Sequence, residues 1–540
     1  MSANLKGQNL NDDRMKHQRA VLEAESILSE ADKIDNLLVA VKVKAKAASV
    51  LWTQSPEKAR AVFIKLWDKV DGQTDKSFDK EEARIALLPY LFSKDRALAN
   101  QLLKRSAGED ENVSDFDKIN GKDPETRRLA FTAYRLAERD AVLAAAVLEQ
   151  SLASGTAPMA QLTLARLREK DPLLANYVAS RAIESFNRQP RTVAVIGLNT
   201  LIAYLFPYTP LPAVSPEVIE SDENLRFQFM STGYQILKES LAESNDFLVK
   251  EQQLSAKSLD FRGFSQAMLA AILTTLSTRY APQNFAELDE ITRRLIIGLP
   301  KQLADAIQIQ TAVIRGGLGE VETSEVSEAE ILSAMAKGDF NAAQNLIDKL
   351  KNETKKKTWT QLLLKAQTNF YLANNEILLA LNTARKIENA AQRMLLLAET
   401  AKAAHKRRDQ VLSVDILQEA RKTSADSLPK GTRATTLFTI AAETAYFSVS
   451  ESLLTLQDAV SVVNSMTYSI DDSRSAGAAL NDPNRFVDSL PMIRAFAALS
   501  DKNMDDAFLI AGKLENKPVQ MTAKLAAIEK ILKKRPSKVK

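Results

Sequence analysis

One phrase recurs along the chain and narrows what it can fold into: a residue able to cap a helix, a small residue four places on, and an apolar residue at place seven. It reads Ser55, Ala59 and Val62; Asp95, Ala99 and Leu102; Asp140, Ala144 and Val147; and Asp171, Ala175 and Val178. It returns as Asp339, Ala343 and Leu346; Asp409, Ser413 and Ile416; and Asn503, Ala507 and Ile510, with a weaker form at Asn375. A Ser, Asp or Asn side chain accepts hydrogen bonds from the orphan N–H groups of a first helical turn. In "SPEKA" at 55 and "DPLLA" at 171 a proline follows, its ring already set for the first helical position. The small and the apolar residue then share one buried face, the small one letting a neighbouring helix approach closely.

Helix-like stretches precede these phrases: "ARIALLPYLFSK" before Asp95, "RRLAFTAYRLAER" before Asp140, "RMLLLAETAKAAHKRR" before Asp409 and "MIRAFAALSDK" before Asn503. Each carries an apolar stripe at helical spacing and ends in basic residues, which suit a helix C-terminus. Helix, short turn and helix thus repeat about every 30 to 45 residues, the period of helical-hairpin arrays. With 16 glycines and 17 prolines in 540 residues, against the ~7% and ~5% usual for each, helix breakers are scarce. The expected fold is all-α, an α-solenoid or superhelix of antiparallel helix hairpins.

The stretch "KGDFNAAQNLIDKL" at 337 to 350 places a Gly-Asp turn ahead of an alanine in a second helix. In this it resembles the tetratricopeptide-like superfamily of hairpin repeats, over roughly residues 35 to 187 and 325 to 535. That resemblance implies a right-handed superhelix with a concave binding face. The uneven periods suit HEAT-like helix pairs as well, so the array is expected to be irregular. The chain also resembles uncharacterised bacterial helical-repeat proteins, a resemblance that implies no activity.

The expected organisation is a disordered N-terminus at 1–11, helical repeats at 12–190, an irregular helical centre at 191–314, a linker at 315–327, further repeats at 328–535 and a basic tail at 536–540. The centre opens with "VAVIGLNTLIAYLF", too short for a bilayer, which needs ~20 residues, and so expected as a buried helix. The proline-rich run "PYTPLPAVSP" follows at 207 to 216, where the prolines forbid a continuing helix. Tyr204, Phe206, Tyr208, Phe227 and Phe229 surround this insertion and are the candidate partner-binding residues, since aromatics at an irregular insertion offer rigid contact area. A larger core where longer helices cross accounts for the same aromatics. Two further breaks are the acidic stretch 107–125 and the stretch 467–490. Asp115, Asp117, Asn120 and Gly121 in the first lack the glycine placement and closing glutamate of a calcium loop.

No cysteine is present, which excludes disulfides, thiolate nucleophiles and Cys-based metal sites. The two histidines, His17 and His405, leave little for a His-based metal site. His17 is expected near a frayed end and His405 at a helix C-terminus. Trp52, Trp67 and Trp359 fall in helical patterns and are expected to pack in cores. No phosphate-binding lysine loop, nucleophile elbow, dinucleotide fingerprint or zinc-protease helix motif occurs. The dipeptides Glu184–Ser185 and Glu239–Ser240 lack the glycine-rich run of lysozyme-like modules. Lys and Arg total 72 against 68 Asp and Glu, a net charge of +4 that gives no strong field for steering onto nucleic acid.

A repeat array exposes a long surface and needs no buried charged site. The expected function is therefore a non-catalytic scaffold that binds a protein or peptide partner through the concave face, with the aromatic insertion as a further candidate surface. No cofactor, no metal and no transmembrane segment is expected, and nucleic acid is not the expected partner. The alternatives are an all-α enzyme acting on a polymer threaded through the superhelix, or an electrostatic binder of nucleic acid or an anionic surface through the basic C-terminus. No signal-peptide h-region opens the chain, which makes a full-length chain cytoplasmic and a trimmed one secreted or periplasmic.

Overall fold

The computed structural model describes every residue except Met1, 76–77, 108–123, 138–139, 155–158, 206–215, 249–255, 319–329, 332–333, 336, 351, 424–427, 467–481 and 534–540. The acidic stretch with its calcium-like residues, the proline-rich run with Phe206 and Tyr208, the 319–327 part of the linker, most of the third break and the basic tail at 536–540 therefore lie outside the described residues. Among the described residues the protein is all-helical and contains no strand. No helix there is long and apolar enough to cross a membrane.

Two compact units divide the chain: Met1–Ala99 with Thr368–Lys540, and Asn100–Gln367. The first opens with α1 Ser2–Glu30, α2 Leu37–Leu51, α3 Pro56–Asp71 and α4 Lys80–Lys94, and α5 Arg96–Ala107 leads into the second. The second continues through α6 Pro124–Leu136, α7 Ala141–Ser154, α8 Ala160–Lys170, α9 Pro172–Phe186, α10 Arg191–Leu205 and α11 Pro216–Leu248. It ends with α12 Ala256–Tyr280, α13 Phe285–Ile297, α14 Lys301–Leu318, α15 Phe340–Asp348 and most of α16 Glu353–Ala373. The chain then returns to the first unit with α17 Ile377–Ala384, α18 Ala390–Lys406, α19 Gln410–Lys422, α20 Lys430–Thr444 and α21 Val449–Asn464. The last helices are α22 Leu490–Ser500, α23 Met504–Gly512 and α24 Lys517–Lys533.

The repeated phrase has a direct structural counterpart. Asp95, Asp140, Asp171, Asp339, Asp409 and Asn503 each accept a hydrogen bond at 2.9 to 3.2 Å from the backbone N–H three residues on. Ser55 is the exception and makes no such side-chain bond, its helix starting on Pro56 alone. The small residues Ala59, Ala99, Ala144, Ala175, Ala343, Ser413 and Ala507 are all buried.

Three turns between helices share one geometry. Gly338, Asn375 and Arg408 have φ of 74°, 61° and 66°. After each, the next N–H reaches back six residues inclusive to a carbonyl, Asp339 to Ala334, Glu376 to Tyr371 and Asp409 to Ala404, while the left-handed residue itself bonds three back. This is the Schellman closure of a helix C-terminus, followed at once by the next N-cap position. Asn375, expected as a weak cap, instead supplies the left-handed residue, and Glu376 takes the cap position without a side-chain bond.

Within each unit the hairpins follow one packing rule: a first helix touches its own second helix and the next first helix. In the second unit α6 packs on α7 and α8, α8 on α9 and α10, α10 on α11 and α12, and α12 on α13 and α14. In the first, α18 packs on α19 and α20, α20 on α21 and α22, and α22 on α23 and α24. The row continues from α24 onto α2 and from α2 onto α3 and α4, so helices from the two ends of the chain are neighbours. Buried Lys46 on α2 pairs with Glu529 on α24, and Thr53 donates to the Leu532 carbonyl at 2.9 Å. Ion pairs also bridge hairpins, with Glu443 on α20 taking Lys402 of α18 at 3.0 Å and Arg494 of α22 at 2.8 Å. Such half-exposed pairs add little stability, ~0 to 1 kcal/mol each, but they favour one register between neighbours.

The aromatic and histidine positions are now defined. Trp67 is fully buried, Trp52 lies 5.9 Å from the Phe63 ring, and Trp359 packs against the Ile331–Phe340–Leu363 core. His17 is buried in α1 rather than frayed, because the helix packs on α2 and α24. His405 ends α18 as expected and stacks on Phe447 at 5.0 Å.

Candidate functional site

The second unit carries its most distinctive polar chemistry where α8, α9, α10 and α11 meet. Gly197 explains how α10 enters so closely: a Cβ there would lie 2.5 Å from Cε1 of Phe186 at the end of α9. Two turns of α10 further on, Tyr204 reaches into a polar cluster that α8, α9 and α11 complete.

Arg168, one of two cations in the last turn of α8, makes a two-pronged bond to Asp222 on α11, with Nη1 at 2.8 Å from Oδ1 and Nη2 at 2.6 Å from Oδ2. Asn176 on α9 donates to the same Asp222 Oδ1 at 2.7 Å and to Ser221 Oγ at 3.1 Å. Its own Oδ1 accepts from the Tyr204 hydroxyl at 2.6 Å and from Arg168 at 3.2 Å. Burial acts to raise the Asp222 carboxyl, but the bonds from Arg168 and Asn176 outweigh it and hold the group below the usual carboxylate range. Arg168 is opposed by burial and raised by its bonds to Asp222 and Tyr204. Burial pushes the Tyr204 phenol up to about 12, with Arg168 pulling the other way. The space left at the cluster is only about 10 Å³, a single water at most. This is a closed latch across four helices, with no room for a substrate.

Directly over Asn176 the surface opens into a groove of about 420 Å³ between α9 and α11. Its floor is fixed by hydrogen bonds: Asn176 belongs to the latch, Ser180 Oγ donates to Gln228 Oε1 at 2.7 Å, and Gln228 Nε2 donates to the Ser180 carbonyl at 3.2 Å. Leu173 and Tyr177, one turn apart on α9, stand along it 45% and 56% exposed. Glu220 and Asn224 on α11 supply exposed polar groups opposite. Apolar rim, amide-rich floor and a single carboxylate make a surface that can take a peptide's side chains and backbone together, without presenting an acid–base pair.

Of the five aromatics singled out from the sequence, the three described ones, Tyr204, Phe227 and Phe229, are not brought together as one patch. Tyr204 is buried in the latch and holds Asn176 beneath the groove, while Phe229 is fully buried on the core side of α11. Neither offers surface to a partner in this arrangement. Phe227, two residues from Phe229 and so on the opposite side of the same helix, is 57% exposed. Phe206 and Tyr208 lie outside the described residues. Leu173 and Tyr177 escaped notice in the sequence, although a signal existed: both fall off the buried Ala175–Val178 stripe and sit at i, i+4 on the other face.

Among the described residues no group of His, Asp and Glu could hold a metal ion. Comparison with protein-family models, curated proteins and solved structures gave no match.

Proposed function

We propose that this chain is a non-catalytic scaffold that holds a protein segment, its hairpins stacked as an irregular α-solenoid of the kind the tetratricopeptide-like resemblance implies. What supports the solenoid is the packing rule, in which each first helix touches the next first helix through most of both units. What supports peptide binding is the α9–α11 groove, whose floor is bonded in place before any partner arrives while Leu173 and Tyr177 stand exposed along it. A pre-set floor lowers the ordering cost of binding, and an exposed tyrosine on a helix is a typical anchor of a contact surface.

The test is an array of synthetic peptides drawn from the source proteome, probed with the whole chain and with a Leu173→Asp, Tyr177→Asp double variant. Both positions are exposed, so far-UV circular dichroism should stay helical. A defined set of peptides bound by the parent chain and lost with the double variant is the expected result. An unchanged set would remove the groove as the docking surface, and binding to none would count against the scaffold reading itself.

A further inference from the structure

The first unit holds a pocket of about 350 Å³ where α1 meets α23 and α24, and its chemistry differs from that of the α9–α11 groove. Its base is apolar, with Ala20 and Ile528 buried and Met504, Phe508 and Leu509 along the α23 side. Leu509 is 62% exposed. Two cations lie over the Phe508 ring, Lys524 Nζ at 5.0 Å and Arg19 Cζ at 5.9 Å from its centroid.

Three cations, Lys16, Arg19 and Lys524, and three carboxylates, Glu23, Asp505 and Asp506, stand around this pocket, but they are unevenly paired. Lys524 is neutralised by Glu23 at 2.8 Å, and Asp506 is engaged with the amide and the cap bond of Asn503. Exposed Lys16 and Arg19 on α1 have no carboxylate within ion-pair distance among the described residues, so one wall keeps two unpaired positive charges. The remaining carboxylate, Asp505, sits in the first turn of α23, where the helix N-terminus already favours its charge. An apolar base beside a cationic wall selects a ligand with the matching split.

We infer that this pocket binds an organic anion with an apolar body, an alkyl or aryl carboxylate, its chain or ring on Met504, Phe508, Leu509 and Ile528 and its carboxylate at Lys16 and Arg19. The size lies at the lower end of the ~300–1,000 Å³ usual for small-molecule sites, which suits a medium-chain acid.

Isothermal titration of the whole chain with decanoate, and separately with decan-1-ol, tests this. Decanoate should bind with one-to-one stoichiometry, and decan-1-ol, which keeps the apolar body and loses the charge, at least about tenfold more weakly. A Lys16→Glu, Arg19→Glu variant should lose affinity for decanoate by at least about tenfold. Leu509→Gln, exposed and harmless to the fold, should weaken both ligands alike. Equal affinity for acid and alcohol, indifference to the charge reversal in a chain that remains helical, or no decanoate binding would each overturn the assignment.

Discussion

Arg408 occupies a backbone position that suits it poorly. At φ 66° it stands in the same turn geometry as Gly338 at φ 74°, yet it carries a Cβ that crowds the carbonyl there. The left-handed region costs a non-glycine residue ~1–2 kcal/mol. Glycine removes that strain and loses ~0.5–1 kcal/mol through greater freedom of the unfolded chain. Arg408 also leaves a cation near the C-terminus of α18, worth ~0.3–1 kcal/mol, so the comparison must hold charge constant. Its neighbour Arg407 provides the control, being exposed, at the same helix end, and at φ −80°. Arg407→Gly loses charge and gains unfolded-state entropy without relieving strain. Arg408→Gly should therefore be more stable than Arg407→Gly by ~1–2 kcal/mol. Urea denaturation at unchanged slope reads this as a shift in midpoint. Gly338→Ala, the reverse perturbation, adds the strain but regains the ~0.5–1 kcal/mol of unfolded-chain freedom, so it should destabilise by less, up to ~1.5 kcal/mol. Two arginine variants that agree within a few tenths would refute the idea that the turn stores backbone strain.

Four further outcomes are expected from the second unit. Gly197→Ala should destabilise by ~1–3 kcal/mol despite alanine's better helix propensity, because buried Phe186 has to move; hydrogen exchange of α9 and α10 would report it, and a stabilised protein would contradict the close approach. Arg168→Met should cost ~3–5 kcal/mol, since it leaves Asp222 and Asn176 without their shared partner, and chemical denaturation checks this. On the acid side, the unfolded Asp222 takes up a proton near its ordinary value of 3.8 while the folded one resists, so the latch's contribution is complete above about pH 4 and fades as pH falls through the folded value; Asp222→Asn should flatten that limb. On the alkaline side, the unfolded Tyr204 ionises near 10.0 and the folded one near about 12, so stability falls across that window, and Tyr204→Phe should remove its share of the fall in an alkaline denaturation series.

The local half of this architecture was legible because its determinants are local. An aspartate, an alanine four on and an apolar residue seven on act within two helical turns, and Asp95, Asp140, Asp171, Asp339, Asp409 and Asn503 all make the cap bond that the pattern implies. Asn375 was misread because an asparagine beside a helix end serves equally as a cap or as the left-handed residue of the preceding turn, and Glu376 decided between them only in three dimensions. The latch was illegible. Arg168 and Asp222 stand 54 residues apart, and in a chain of which 26% is charged no spacing distinguishes that pair from the rest. Phe227 and Phe229 read alike as aromatics near an insertion, and only the direction α11 faces separates the exposed ring from the buried one. The neighbourhood of α2 and α24 left no trace either, since each is an ordinary first helix and nothing marks which row it closes.

That neighbourhood bears on how the protein is made. Lys46 and its partner Glu529 are 483 residues apart, so a ribosome adding ~5–20 residues per second has to work for roughly 25 to 100 s after one emerges before the other exists. Through that interval the apolar face of α2, which includes Val39, Val43 and Val50, lacks the helix that finally covers part of it. The residues from Asn100 to Gln367 are synthesised meanwhile, and they can complete a unit of their own first. Nascent chains halted inside α23 would hold a waiting amino-terminal segment, Met1–Ala99, the form in which a holding chaperone or a protease would meet this protein.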